Sequence, residues 1–360
     1  MRIHPDPRLL LTDTPRMSRL IRLWRLWPYG LTLLLLVLLW VASDIAVPAS
    51  LSLWTRRLQG FVTVFLGIFI EALPFLLAGV LMSSCIHLYV SEERIRNLSP
   101  RNPGLAALGG SLLGFAFPVC ECGSIPATRR LLAKGASLPT GIAFALAAPV
   151  INPIVLISTY VAFASWEMVA WRFGLTILFA VIVGMIVGTP PRRAMVLADR
   201  VCQIPGGDDY RNYLEEGDLP GEQPVAVSPV RRVLGHASTE FFEMSRYLVI
   251  GAMLASALQT LVPQQELLVL GNGLIVSVVV MMALAVVLSI CSTVDAFVAL
   301  SFVNTFTPGA ILAFLVFGPM IDIKSALLLT TTFRRHTVAI MVVLCFLLTL
   351  LAGVVVNFYF

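Results

Sequence analysis

The sequence predicts an all-α polytopic membrane protein built from two repeats. Of its 360 residues 58% are apolar and only 12% are charged, and the mean hydropathy is +0.90. A soluble domain is roughly half apolar and a quarter charged. Several apolar runs approach or exceed the roughly 20 residues with which a helix crosses a bilayer. Landmarks of the first part of the chain also recur in the second part.

Charge and cysteine usage exclude several classes of protein. The formal net charge is +5, and no basic run is interleaved with aromatic residues, so we expect no nucleic-acid partner. The six cysteines have neither the spacing of a secreted disulfide scaffold nor a paired C-x-x-C zinc motif, and the four histidines show no metal spacing. We therefore predict neither a metal nor a cofactor.

Composition divides the chain into five parts. Residues 1–28 are a basic N-terminus that we place in the cytoplasm, and the apolar run 29–47 predicts one extra N-terminal transmembrane helix. A cleaved signal peptide is the alternative for this run. The other parts are a first membrane repeat at 60–188, a flexible cytoplasmic linker rich in Pro, Gly, Asp and Glu at 189–235, and a second membrane repeat at 236–360.

Three landmarks recur in register and predict an internal duplication. Repeats of this size are what secondary transporters are built from. The matching pairs are Glu71 with Glu243, each followed by a glycine at the same interval (Gly79 and Gly251), Cys120 with Cys291, and Ala-Pro-Val-Ile-Asn at 148–152 with Gly-Pro-Met-Ile-Asp at 318–322.

Basic residues predict that the second repeat is inverted relative to the first. Cytoplasmic loops are enriched in Lys and Arg. Both flanks of the segment 104–134 are basic, whereas its counterpart at 267–307 lies in a stretch without Lys or Arg, between Arg246 and Lys324. A re-entrant helical hairpin at 104–134 would leave both flanks in the cytoplasm. Each repeat then has about three transmembrane helices plus a hairpin, and the odd number of spans inverts the second repeat.

The stretch Phe117–Pro126 interrupts the apolar chain with cysteine, glutamate, glycine and proline residues, and a degenerate copy lies at 289–295. Broken helices at membrane depth are tolerated only beside protein or a water-filled cavity. We predict that the two breaks face each other and form a transport site. The predicted substrate-binding residues are Cys120, Glu121, Cys122, Ser124, Asn152, Cys291, Ser292, Asp295 and Asp322. The predicted structural breaks are Pro118, Gly123, Pro126, Pro149, Pro153 and Pro319.

The cysteines indicate the kind of substrate. Thiolates prefer soft, polarizable partners, so the pattern favours a thiophilic solute over a hard cation. The alternatives are that the prolines are kinks and nothing more, and that the cysteines are small apolar packing residues.

Carboxylates in apolar spans are the candidates for ion coupling. An acid in a membrane is costly when ionised, so it marks a functional position by default. Glu71 and Glu243 are the predicted ion-coupling residues, with a surface pair between Glu243 and Arg246 as the alternative for the latter. The basic patch Arg129, Arg130 and Lys134 reads as an orientation signal rather than as ligands.

Five motifs resemble the bacterial predicted-permease family that includes the ArsP-type proteins. The resemblance covers about 60–360 without the linker, and it implies a multi-pass permease of the bacterial inner membrane. ArsP-type members export trivalent organoarsenicals, with cysteines implicated in recognition. The motifs are Cys-Glu-Cys-Gly-Ser-Ile-Pro at 120–126, Leu-Leu-Ala-Lys-Gly-Ala at 131–136, Ala-Pro-Val-Ile-Asn-Pro at 148–153, Cys-Ser-Thr-Val-Asp-Ala-Phe at 291–297, and the segment 314–324.

The favoured function is a secondary permease for efflux, and not an enzyme. It would carry a small solute such as a trivalent arsenical, and no nucleotide-binding motif is present. The expected partners are the lipid bilayer, a small-molecule substrate and a possible second copy of the chain. Two alternatives remain: a membrane thiol–disulfide oxidoreductase that uses Cys120 and Cys122, and a membrane subunit of a larger complex.

Overall fold

The computed structural model describes residues 52–89, 100, 102–117, 119–189, 196–198, 229–261 and 273–359. These residues are helical apart from turns and an isolated antiparallel bridge between Leu197 and Phe333, which confirms the all-α prediction. The chain separates into one unit at Met1–Gly60 and another at Phe61–Phe360, and the second holds all the residues discussed as a site. The predictions for 1–28 and 29–47 fall outside the described residues.

Twelve helices occur in the described residues, six in each predicted repeat. A long helix opens and closes each half, and four shorter helices lie between. The first half contains α1 (Ser52–Tyr89), α2 (Pro103–Ala116), α3 (Glu121–Ala133), α4 (Leu138–Ala147), α5 (Pro153–Phe163) and α6 (Trp166–Gly188). The second half contains α7 (Pro229–Leu261), α8 (Leu274–Leu288), α9 (Asp295–Leu300), α10 (Pro308–Met320), α11 (Ile323–Leu329) and α12 (Arg335–Tyr359).

Five helical segments of the described chain are long and apolar enough to cross a membrane. Large apolar side chains such as Ile70, Leu178 and Leu351 are exposed on the outer faces of three of these segments, as expected of surfaces that contact lipid. The segments are Arg57–Ser84, Trp166–Gly188, Ala237–Leu261, Pro308–Leu329 (α10 with α11) and Arg335–Tyr359.

Caps divide the helices at equivalent places in the two halves. Asn152 precedes α5, and its side-chain oxygen accepts a hydrogen bond from the N–H of Ile154 at 2.9 Å, with Pro153 at the first helical position. Asp322 precedes α11, and its Oδ1 accepts from the N–H of Ser325 at 2.6 Å. The Ser325 hydroxyl in turn accepts from the N–H of Asp322, which completes a capping box.

Helix packing repeats between the halves. Helices α2, α4 and α6 pack on one another, and so do α8, α10 and α12. Between the halves, α3 packs on α11, α9 packs on α5, and α6 packs on α12. Each contact has an equivalent when the helices of the two halves are matched in chain order. Helix α3 then corresponds to α9 and α11 to α5, so the α3–α11 contact corresponds to the α9–α5 contact. The equivalence of the halves therefore extends to tertiary contacts.

The long helix that opens each half is seated through a matching glycine. Gly79 of α1 lies so close to Gly123 of α3 that a Cβ at Gly79 would overlap the Gly123 backbone. Gly251 of α7 lies against Lys324 of α11, and a Cβ there would be 3.0 Å from the Lys324 Cα. Small residues allow this close approach between membrane helices.

The structure corrects two of the predicted breaks. Gly123 and Pro126 lie inside α3, so the interruption falls before Glu121 rather than within the segment 121–126. Gly123 is used for close packing against Gly79. A proline within a membrane helix is tolerated where neighbouring helices surround it, and Pro126 is buried. Of the other predicted breaks, Pro149 lies in the turn after α4, Pro153 opens α5, Pro319 is the penultimate residue of α10, and Pro118 is outside the described residues.

Two parts of the stretch assigned to the linker lie among the described residues. Helix α7 begins at Pro229, inside the stretch assigned to the linker. Val196 and Leu197 are buried, and the Arg334 N–H donates to the Val196 carbonyl at 2.9 Å. These two residues are apolar in a mostly polar linker, which explains why they pack beside the turn between α11 and α12.

We predict that Gly79→Ala destabilises the protein by about 1–3 kcal/mol, because its methyl group would force α1 away from α3. The matched control is Gly67→Ala on the same helix, where a Cβ meets no atom within 4 Å. That change should be neutral or stabilise by about 0.5–1 kcal/mol. The midpoint of thermal unfolding of the purified protein in detergent checks both. Equal midpoints for the two variants would contradict the packing described.

Candidate functional site

Three cysteines from both halves meet beside the contact between α3 and α11. Cys120 is the N-cap residue of α3, Cys122 lies in its first turn, and Cys291 precedes α9. The Cys120 side chain is close enough to interact with both Cys122 and Cys291. All three are free thiols and only 1–4% exposed. The structure thus brings the three predicted sulfurs together, and their role in binding stays a prediction.

A buried lysine joins the cysteines to two carboxylates. The Lys324 Nζ donates to the Glu121 Oε1 at 3.4 Å and lies 3.6 Å from the Asp322 Oδ2. All three side chains are 3–4% exposed. Glu121 lies between the two cysteines of α3, and Lys324 lies in the first turn of α11, so this ion pair links the halves. We call Cys120, Glu121, Cys122, Cys291, Asp322 and Lys324 the cysteine centre.

Two carboxylate oxygens of the cysteine centre have no hydrogen-bond partner. They are Oε2 of Glu121 and Oδ2 of Asp322, and both atoms are buried. The hydroxyl of the neighbouring Ser292 is likewise buried and unpartnered. Buried polar atoms normally have partners, so each exception calls for a physical explanation. The centre also holds two acidic groups against one basic group.

A second buried ion pair links the halves at the equivalent contact, where α9 meets α5 and α6. The Arg172 Nη2 donates to the Asp295 Oδ2 at 2.5 Å, and its Nη1 donates to the Thr159 hydroxyl at 2.7 Å. Arg172 is fully buried on α6, Thr159 lies on α5, and Asp295 is the first residue of α9. We call these three residues the arginine clamp. Asp295 is also close enough to Glu121 for the two charges to interact.

A third charged group joins α3 to α7 and α1. Arg129 pairs with Glu243 at 2.9 Å, and Arg130 lies 3.5 Å from Glu240. Glu240 also accepts a hydrogen bond from the Ser83 hydroxyl at 2.9 Å. The two arginines are therefore structural partners, and their role in orientation stays a prediction. Glu243 has a partner on α3 that the sequence analysis did not name.

The remaining predicted residues lie apart from these pairs or serve the backbone. The Ser124 hydroxyl donates to the Glu121 carbonyl at 3.2 Å, within α3. Asn152 caps α5 through its side-chain oxygen. Glu71 lies half-buried on α1. The contacts described above join Cys120, Glu121, Cys122, Cys291 and Asp322 in one centre and place Asp295 in the clamp beside it.

Neither a metal arrangement nor a surface groove on α6 coincides with the cysteine centre. In the part of the chain that the structure describes, no three His, Cys, Asp or Glu side chains are arranged to hold a metal ion. An open groove of about 380 Å³ lies on the outer face of α6, and none of the predicted site residues lines it. Its lining is Glu167, Ala170, Trp171, Gly174, Leu175 and Leu178.

Comparison with known proteins decides the family. A family model described as a predicted permease, ArsP_1, matches residues 57–358. The chain belongs to this predicted permease family. The resemblance seen in the five motifs is thereby confirmed, and with the five spans it makes this a multi-pass permease-family protein of a bacterial membrane.

Two known proteins are similar to this chain over most of their own length. The UPF0718 protein YcgR of Bacillus subtilis is 42% identical over 300 residues, which cover 82% of this chain and 96% of the relative. A Streptococcus mutans protein named as a putative two-component membrane permease complex subunit is 35% identical over 273 residues, covering 75% and 86%. No solved structure matches the chain.

Sequence reasoning missed three buried charges of this permease-family chain. Arg172 sits in the apolar span Trp166–Gly188, and a charge within such a span is the signal that could have found it. Lys324 was given no role in the site, although it follows Asp322 closely in the same apolar surroundings. Glu240 lies one helical turn before Glu243, so it faces the same side of α7.

We predict that Arg172→Met and Asp295→Leu each destabilise the protein by about 3–5 kcal/mol, because each leaves an unpaired charge in a dry interior. The double variant should recover much of that loss, because it removes both charges together. Thermal unfolding of the four proteins in detergent measures this cycle. Additive losses in the double variant would contradict the clamp as a directly interacting pair.

Proposed function

We propose that the protein is a secondary transporter whose substrate binds at the cysteine centre. The observation that carries this proposal is the meeting of three thiols from both halves at an ion pair that also links the halves. Transporter substrates bind near the interface of two repeats, where helices are interrupted. The proposed centre has both properties, since α3 and α11 each begin there.

We further propose that the second half is inverted relative to the first. Helix α6 ends at Gly188, just before the linker, whereas its counterpart α12 begins beside the linker residue Leu197. The equivalent helices α6 and α12 thus have opposite ends next to the linker. The basic flanks of 104–134 and the absence of Lys and Arg around its counterpart support the same arrangement.

The two cross-half ion pairs suit a rocking mechanism. Glu121–Lys324 lies at the α3–α11 contact, and Asp295–Arg172 lies at the equivalent contact of α9 with α5 and α6. Rocking of one half against the other opens one contact while the other stays closed, which is the requirement of alternating access. In this proposal each ion pair closes one side of the transport path.

The proposed substrate class is a small thiophilic solute such as a trivalent arsenical. Sulfur ligands favour soft, polarizable species. Two thiols replace two oxygen ligands of a trivalent arsenical and release water, so binding requires no oxidant or reductant. The proposed direction is efflux, which removes a toxicant from the cell.

The alternative of a thiol–disulfide oxidoreductase has less support. Cys120 interacts with Cys291 as well as with Cys122, so the thiols form a group of three rather than a redox pair. The alternative of a complex subunit has one specific observation in its favour, the name of the Streptococcus mutans relative. We propose it as an assembly in which this chain supplies the transport path.

We predict that Cys120→Ser, Cys122→Ser and Cys291→Ser each abolish resistance to phenylarsine oxide in an arsenical-sensitive bacterial host that expresses the protein. Serine keeps the size of the side chain and removes the soft ligand. The matched control is Cys345→Ser, which changes a buried cysteine of α12 away from the centre. Immunoblots of the membrane fraction establish equal amounts of protein. Unchanged resistance in all three variants would reject the thiols as ligands, and sensitisation by the wild type would reverse the proposed direction.

A further inference from the structure

We propose that Glu121, Asp322 and Lys324 bind the proton whose movement drives transport. The inference rests on the proposed transport function and names its coupling ion. It also replaces Glu71 and Glu243 as the residues that couple transport to an ion.

The first argument is the balance of charge. Glu121 and Asp322 supply two carboxylates, Lys324 supplies one ammonium group, and all three side chains are at least nine-tenths buried. With both acids ionised the group carries one uncompensated negative charge. An isolated buried charge is too costly to persist without a partner. One proton on Glu121 makes the group neutral.

The second argument is a buried carboxylate oxygen that can carry that proton. The Glu121 Oε1 accepts from Lys324, whereas Oε2 of Glu121 has no hydrogen-bond partner. The Asp322 Oδ1 is engaged in capping α11, and its Oδ2 is paired with the Lys324 Nζ at 3.6 Å. Hard divalent cations such as Ca²⁺ require about six to eight oxygen ligands. One unpartnered carboxylate oxygen, Oε2 of Glu121, suits a proton and not such a cation.

The other buried charges nearby form ion pairs of their own, so they do not change the charge balance of Glu121, Asp322 and Lys324. Asp295 is paired with Arg172, and the two acids of α7 lie with the arginines of α3. The titratable and charged groups that face Glu121 are Lys324 of α11, Asp322 before it, Cys120 and Cys122 on either side, Cys291 before α9, and Asp295 of α9.

The same residues connect proton and substrate. Glu121 lies between Cys120 and Cys122 in sequence, so movement of the thiols on binding a substrate also moves the carboxylate. Lys324 reaches Glu121 from the other half, so rocking of the halves separates them. Water that enters on one side then solvates the ionised carboxylate and releases the proton there. Glu243 is held by Arg129 instead.

The transport experiment uses the full chain in proteoliposomes and a ring-sulfonated trivalent phenylarsonous acid, which the lipid excludes. With the membrane potential held at zero by valinomycin and equal potassium on both sides, a pH gradient of about one unit should accumulate this probe about tenfold for one proton per cycle. Glu121→Gln mimics the protonated acid. It should lose all accumulation of the probe in the pH gradient, because its side chain cannot bind and release a proton. The matched control is Glu167→Gln, at an exposed glutamate in the first turn of α6, and it should accumulate the probe normally.

A second measurement tests the proton without transport. Infrared spectra of the wild type at neutral pH should contain the carbonyl band of a buried, protonated carboxyl group, which is absent in Glu121→Gln and present in Glu167→Gln. A wild-type spectrum without this band overturns the proposal even if no variant folds.

The outcomes separate the two claims. Accumulation by Glu121→Gln equal to that of the wild type overturns the proton site and leaves the transporter intact. If the wild type carries no probe, the proposed function fails and the infrared band alone decides the proton site. Loss of accumulation together with loss of the band supports both.

Discussion

The ammonium group of Lys324 lies in an apolar interior and must find carboxylates there. Breaking a buried ion pair is costly because the remaining charge cannot return to water. Lys324 comes from the second half of the chain and its partner Glu121 from the first, so the halves must meet at this point. The same constraint applies to Arg172 and Asp295 at the equivalent contact. Lys324 and Arg172 thus fix how the two halves pack together.

The other helices hold the contact between Glu121 and Lys324 in place. Helices α3 and α11 begin beside the buried charges, and capping by Asp322 holds the start of α11 in place. Gly79 and Gly251 allow the long helices α1 and α7 to approach α3 and α11 closely. The triads α2–α4–α6 and α8–α10–α12 form the surrounding frame. A membrane protein cannot leave broken backbone facing lipid, so the frame must enclose the breaks.

Much of the fold was predictable because the bilayer imposes strong rules. Apolar length and composition predicted a helical protein that crosses the membrane several times, and the motifs predicted the family. Gly123 and Pro126 were predicted as breaks because glycine and proline often interrupt helices. Glycine also serves close packing, and only the contact with Gly79 shows that Gly123 is used in this way. The pairing of Arg172 with Asp295 could not be read either. No local pattern relates residues so far apart in sequence, and charge alone does not name a partner.

The central claim is that Cys120 of the first half and Cys291 of the second meet in the interior, and cross-linking tests it most directly. The chain would carry a protease site within 203–222 of the linker and serine at Cys85, Cys122, Cys202 and Cys345. After oxidation with iodine in membranes and cleavage, our account predicts that the halves migrate together on a non-reducing gel and separate on reduction. Free migration of the halves without reduction, when each cysteine is shown to be unoxidised and present, would contradict it.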